Sequence, residues 1–240
     1  MGEGFKSSGD IHMPRILAPL AIAALLPLAA QAGTPLEEAL AASQDGPLYA
    51  FTLNLTADGV TSVMTIDPSK PQGERVTVLS PAEAEWSEDF AKRVENMQEN
   101  SEGDIWCASL AGNVPADATL VSETDTTATY KYTPVESDDE DDDLNKIVKH
   151  LKGTVTVDKV SPGILSLQMV AEKPFKPMAV AKIKKFEMKV ACDRAPDGRM
   201  HIASLDMSLA GSALMQAFSQ SDRQTITDLV ELPGTQTGTR

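Results

Sequence analysis

Between Tyr49 and Leu55 large apolar residues stand at every second position: Tyr49, Phe51, Leu53 and Leu55, with Ala50, Thr52 and Asn54 between them. A period of two puts the first set on one side of an extended chain and the second on the other. Such a strand buries one face and leaves the other wet, the habit of antiparallel sheets rather than of helices. Asp58-Gly59 is a hairpin turn, and residues 60–66 return as the partner strand. The same reading places strands at 74–79, 119–123, 127–133, 153–160, 164–172, 180–193 and 199–209. Turn clusters separate the later ones: Ser161-Pro162-Gly163, Lys173-Pro174 through Pro177, and Ala195-Pro196-Asp197-Gly198. Residues 213–218 fit either a helical turn or a strand, and 224–232 read as a last strand.

Two helices are expected among these strands. Thr34 is a good N-cap, Pro35 suits the first helical position, and Glu37 and Glu38 favour the first turn. That helix ends near Ser43, before the breakers Asp45-Gly46-Pro47. Ser80-Pro81-Ala82-Glu83 reads as a capping box that opens a longer helix. Trp86, Phe90, Val94 and Met97 form its narrow apolar stripe, with Glu88–Lys92 and Asp89–Arg93 as exposed pairs. The fold class that follows is α+β: a mainly antiparallel curved sheet, half-barrel-like, with a few covering helices.

The start of the chain reads as an export leader. Met13-Pro14-Arg15 precedes an apolar run from Ile16 to Ala30, and Ala30-Gln31-Ala32 is an A-x-A cleavage site. Pro19 and Pro27 interrupt the run, which is short for a membrane-spanning helix. Residues 1–32 are therefore expected to be a signal peptide cleaved near Ala32, with translation starting at Met1 or Met13. Residues 33–232 form a single β-rich domain and 233–240 a disordered tail. Cys107 and Cys192 are the only cysteines. In a secreted chain bound for an oxidising space such as the periplasm they are expected to pair.

The formal net charge is −14. That balance opposes nucleic acid and anionic membrane surfaces as partners of the whole molecule. After the leader, His150 and His201 are the only histidines, and they stand in different contexts. No catalytic or nucleotide-binding motif spacing occurs, so neither enzymatic activity nor a cofactor is expected. His201, with Asp197 and Ser204 nearby, is the one formal candidate for a triad. The acidic run at residues 138–143 lacks the glycine and glutamate that an EF-hand loop requires and reads as a solvated loop.

A signal peptide, a short helix over residues 35–42 leading into Tyr49 to Leu55, and a late meander at 153–209 together resemble the bacterial periplasmic lipoprotein carriers, the LolA/LolB-like group. The resemblance implies a half-barrel lidded by helices around an apolar cavity for acyl chains. Arg75 is the nearest arginine to that group's early-strand pattern, and no role passes to it. Residues 67–73 and the acidic run depart from the group. Two readings stand. In one, the chain is an exported, non-catalytic carrier of a lipid or acylated ligand, with Tyr49, Phe51, Leu53, Trp86 and Phe90 lining the cavity. In the other, the core is filled and the chain is a structural protein docking an envelope protein partner. Neither reading has it span the membrane after cleavage.

Overall fold

In the first strand, β1 (Pro47–Ala57), Tyr49, Phe51, Leu53, Leu55 and Ala57 are buried and the residues between them are not. The expected alternation is thus realised along its whole length. The structure, a computed structural model, describes residues 33–57, 59–135 and 146–236. The expected leader, the acidic run, Asp58 of the first turn and residues 237–240 lie outside the described residues.

Around β1 stand β2 (Val60–Ile66), β3 (Val76–Ser80), β4 (Thr119–Glu123) and β5 (Thr127–Tyr132). They are followed by β6 (Leu151–Asp158), β7 (Gly163–Ala171), β8 (Phe175–Met178), β9 (Ala181–Arg194), β10 (Met200–Ala213) and β11 (Gln216–Gln236). All pairs are antiparallel, in the order β3-β2-β1-β11-β10-β9-β7-β6-β5-β4, with β8 beside β9. The fold is α+β, a mainly antiparallel sheet with a few helices. The sheet is open and uncurled rather than wrapped into a half-barrel, and β3 and β4 form its two edges.

The register makes the two faces chemically distinct, because directly opposed residues project to the same side. One row across the sheet reads Ser62, Leu55, Gln224, Leu205, Val190, Leu167, Val155, Tyr130. The next residue along every strand gives Thr61, Thr56, Arg223, Asp206, Lys189, Gln168, Thr154, Lys131. The first row is apolar except at Ser62 and Gln224, and the second is wholly polar. The sheet therefore has one inner face to cover.

Two helices cover its ends. α1 (Pro35–Ala42) starts with Thr34 accepting the Glu37 amide while the Glu37 carboxylate accepts the Thr34 amide, the reciprocal box that its sequence invites. Its buried Leu36 and Ala39 pack with Tyr130, Val155, Val157 and Leu167. α2 (Glu88–Asn100) lays Phe90 and Val94 on the buried side chains of β1, β2 and β3. It begins later than its sequence suggests. Glu83–Glu85 form a single 3-10 turn, the Glu85 carboxylate accepts the Ala82 amide, and the true N-cap is Ser87, whose hydroxyl accepts the Phe90 amide. Trp86 thus precedes the helix and still meets Phe90 edge to face, with ring centres 5.5 Å apart. Lys92 pairs with Glu88 as expected, at 2.7 Å. A third helix, α3 (Ala108–Ala111), is a single turn.

The later strands differ from expectation in three places. The Lys173–Pro177 turn contains β8. Residues 213–218 are neither a helical turn nor one strand, but the turn between β10 and β11 with the start of β11. β11 also continues beyond Leu232, with Gln236 opposite Pro47, so residues 233–236 belong to the sheet rather than to a tail. Cys107 and Cys192 are bonded, with Cα atoms 6.5 Å apart across 85 residues of sequence. Closing so long a loop stabilises the fold by about 4 kcal/mol in the chain-entropy account. Cys107→Ala with Cys192→Ala is expected to lower the unfolding free energy by about that amount; denaturant titration of both proteins reads it directly.

Candidate functional site

β9, β10 and β11 lie between the two helix-covered ends, and there the inner face is half-buried instead of sealed. A cavity of about 510 Å³ opens at the α2 side. Its apolar wall is Phe51, Leu53, Leu55, Ile66, Ile202, Leu205 and Ile226, closed above by Met97 of α2. Its rim is polar: Asn96, Asn100, Ser101, Glu102, Asp104 and Gln224.

One irregularity aims side chains into this space and a second adds to the core beside it. The β10 register slips between Ile202 and Ser204, so Ile202 and Leu205, three residues apart, both face inward. β11 does the same where Asp228 takes a φ of 55°, and Ile226 and Leu229 both reach the core.

The roof is tied down at both ends. Near its start, Arg93 reaches the buried Asp222 of β11 at 3.4 Å, and Gln220 donates to the other Asp222 oxygen at 3.0 Å. At its end, Arg75 donates to the carbonyls of Lys70 and Ser101, both at 3.0 Å, which places a cation at the negative end of the helix. Gln98 also donates to the Val76 carbonyl at 3.3 Å. At the rim, partial desolvation holds the Asp104 carboxyl above its usual range; the nearby charges of Asp45 and Glu102 add to this, and the Trp106 amide, donating to it at 2.9 Å, opposes it.

From the cavity a half-buried apolar track follows β10 along Leu205, Met207 and Leu209. Met207, Met188 and Met169 stand opposite one another on β10, β9 and β7, three thioethers in one row. Beyond Met169 the row meets Gly153, over which the ring of Tyr132 lies so closely that a Cβ there would sit 2.2 Å from its Cζ. The Tyr132 hydroxyl is buried with no hydrogen-bond partner among the described residues, and burial pushes its pKa up to about 12.

The five residues proposed from sequence divide. Phe51 and Leu53 stand in the cavity wall. Phe90 lines a smaller pocket of about 200 Å³ with Ser87, Asp89 and Arg93. Tyr49 lines neither; it is fully buried with its ring edge-on to Trp106 at 5.7 Å. Trp86 lines neither and donates its indole N–H to the Pro81 carbonyl at 3.1 Å. The wall residues from β10 and β11 were out of reach of sequence reasoning, because a bulge brings Ile202 and Leu205 to one face and only the pairing of β11 with β1 sets Ile226 beside Leu53.

His201 is buried beside the disulfide segment. Its Nδ1 lies 2.8 Å from the Asp193 carbonyl, its backbone bridges Trp106, and burial lowers its pKa. No group of metal-ligating side chains occurs among the described residues. Among them, too, no helix is long and apolar enough to cross a membrane. No protein-family model, curated protein or solved structure matches the chain.

Two buried groups generate expectations. Because the folded state disfavours protonated His201, stability is lost as pH falls through and below about 6.5. His201→Gln is expected to flatten that part of the profile, checked by urea titrations at stepped pH. Tyr132→Phe removes an unpartnered buried hydroxyl and is expected to raise stability by about 1 kcal/mol. It also removes Tyr132's share of the alkaline loss between pH 10 and about 12, since the folded state holds the Tyr132 proton more tightly than the unfolded chain does.

Proposed function

We propose that this chain is an exported, non-catalytic binding protein that holds an apolar ligand, a lipid or acyl chain, beneath α2. The observation that carries the reading is the cavity: apolar walls, a polar rim, and about 510 Å³ of space, within the usual range for small-molecule sites. An extended hydrocarbon suits such a wall because it needs no partner for a polar group, and each methylene removed from water contributes about 0.8 kcal/mol. The rim amides of Asn96, Asn100 and Gln224 can meet a carboxyl or ester head at the mouth, and Met97 adapts to the bound shape. The half-buried methionine row extends the same surface toward β7.

Export rests on the leader pattern. The Cys107–Cys192 bond is compatible with an oxidising compartment, and the periplasm is the location that fits both. In this reading the protein receives its ligand from one envelope component and yields it to another.

Native mass spectrometry of the protein isolated from its host without detergent tests the reading. An added mass that extracts into organic solvent is the expected result. A clean unliganded mass, with no uptake of fluorescent fatty acid, would favour the filled-core docking protein instead. Leu205→Trp puts an indole into the cavity and is expected to reduce fatty-acid uptake on the order of tenfold or more with the fold retained; circular dichroism of the same sample checks the fold.

A further inference from the structure

The β10–β11 turn carries the wrong residues for a turn. Ala213 pairs with Gln216, so Leu214 and Met215 are its two central residues, with φ of 49° and 66°. Two-residue hairpins of this hand favour Asn-Gly, because β-carbons are strained at positive φ. Leu214 is 72% exposed and Met215 101%. Two large apolar side chains thus stand in water on a backbone that resists them.

They are not alone. The Leu214 amide donates to the Val180 carbonyl at 3.0 Å, which joins this tip to that of the β8–β9 hairpin. There Val180 is 56% exposed and Met178 47%. Around this apolar crest the charge reverses the sign of the molecule. Lys173, Lys176, Lys182, Lys184 and Lys185 lie in a stretch with no acid before Glu187, and no charged residue occurs between Met207 and Ser221. Lys185 pairs with Glu187 at 3.6 Å, while Lys176, Lys182 and Lys184 have no ion pair among the described residues. A cleft of about 530 Å³ between the tips is lined by Lys176, Lys182, Val180, Ser212 and Leu214.

We propose that the paired tips dock the protein on an anionic lipid bilayer, with Leu214, Met215, Val180 and Met178 entering the interface and the lysines meeting headgroup phosphates. An acidic molecule in which a run of lysines surrounds a crest carrying Met215, its most exposed large apolar side chain among the described residues, is complementary to such a surface and approaches it in one orientation. The crest also explains the turn: side chains that cost stability in water gain from burial in lipid. The docking stands whether or not the cavity under α2 holds a ligand.

Flotation of the protein, as isolated from its host, with vesicles of phosphatidylglycerol and phosphatidylethanolamine tests it, against vesicles of phosphatidylcholine alone. The expected result is binding to the anionic vesicles that weakens in high salt. The double variant Leu214→Asn with Met215→Gly supplies the residues that the turn favours. It is expected to unfold at the same or a higher temperature while binding falls on the order of tenfold or more. Neutralising Lys176, Lys182 and Lys184 to Gln is expected to weaken binding by roughly fivefold for each lysine. Leu205→Trp, which blocks the cavity, leaves docking intact, so the two proposals fail separately. Absence of wild-type binding to anionic vesicles, or wild-type affinity in the Asn-Gly variant, would overturn the docking proposal.

Discussion

The sidedness of the sheet is the constraint from which the rest of the molecule follows. Ten strands in the hydrogen-bonded path, at about 4.8 Å each, make an apolar face on the order of 43 Å wide. A helix with its side chains covers roughly 10 Å of that. α1 and α2 therefore shield about half the face, and they do so at opposite ends, where Tyr130, Val155 and Leu167 on one side and Met64 and Val76 on the other are sealed. The exposed remainder is neither a defect of packing nor an accident of one side chain. It is what is left when a wide one-sided sheet meets two short helices.

The connections divide their work accordingly. Arg93–Asp222 and the Arg75 contacts hold α2 at a fixed height above the strands, so the space beneath it persists. The disulfide and the Trp106 segment stiffen the start of β10 and the end of β9, where Trp106 is pressed so closely on Gly46 that a Cβ there would fall 2.4 Å from its ring. At the far end of the same strands, among the described residues, there is neither a disulfide nor a buried cross-bridge of this kind. One end of the β9–β10–β11 group is thus cross-linked and buried, and the other is open, basic and apolar.

Elements whose signal is local were legible in the sequence. Alternation placed β1, the turn after it placed β2, the Thr34 cap with Pro35 placed α1, and the two cysteines paired as expected. Where two local signals competed, the reading failed. Ser80-Pro81-Ala82-Glu83 resembles a helix start, but the carboxylate-to-amide bond forms two residues later, with Glu85 accepting the Ala82 amide over a single 3-10 turn, and Ser87 caps the helix itself. β11 was legible only from Gln224 onward, because its first residues carry no alternation and a Leu-Met turn sends no breaker signal. The cavity was half legible: Phe51 and Leu53 came from the pattern of β1, whereas Ile202 and Leu205 share a face only through a register slip in β10, and Ile226 lines the wall only because β11 pairs with β1, which the paired strands alone reveal.

The open edges have a colloidal consequence. β3 and β4 each present a row of backbone groups with no partner strand among the described residues, and β4 is exposed along its whole length, with Leu120 and Val121 in the open. Edges of this kind template growth by addition of further sheets, and a bulge between Leu120 and Ser122 only partly blunts this one. The surplus of acids supplies the remaining protection, since two copies approaching edge to edge carry the same sign. The same −14 that disfavours most anionic partners thus serves as a spacer between molecules. Concentrated salt screens that spacer without protonating His201, so storage life and folding stability are governed by different groups on this protein.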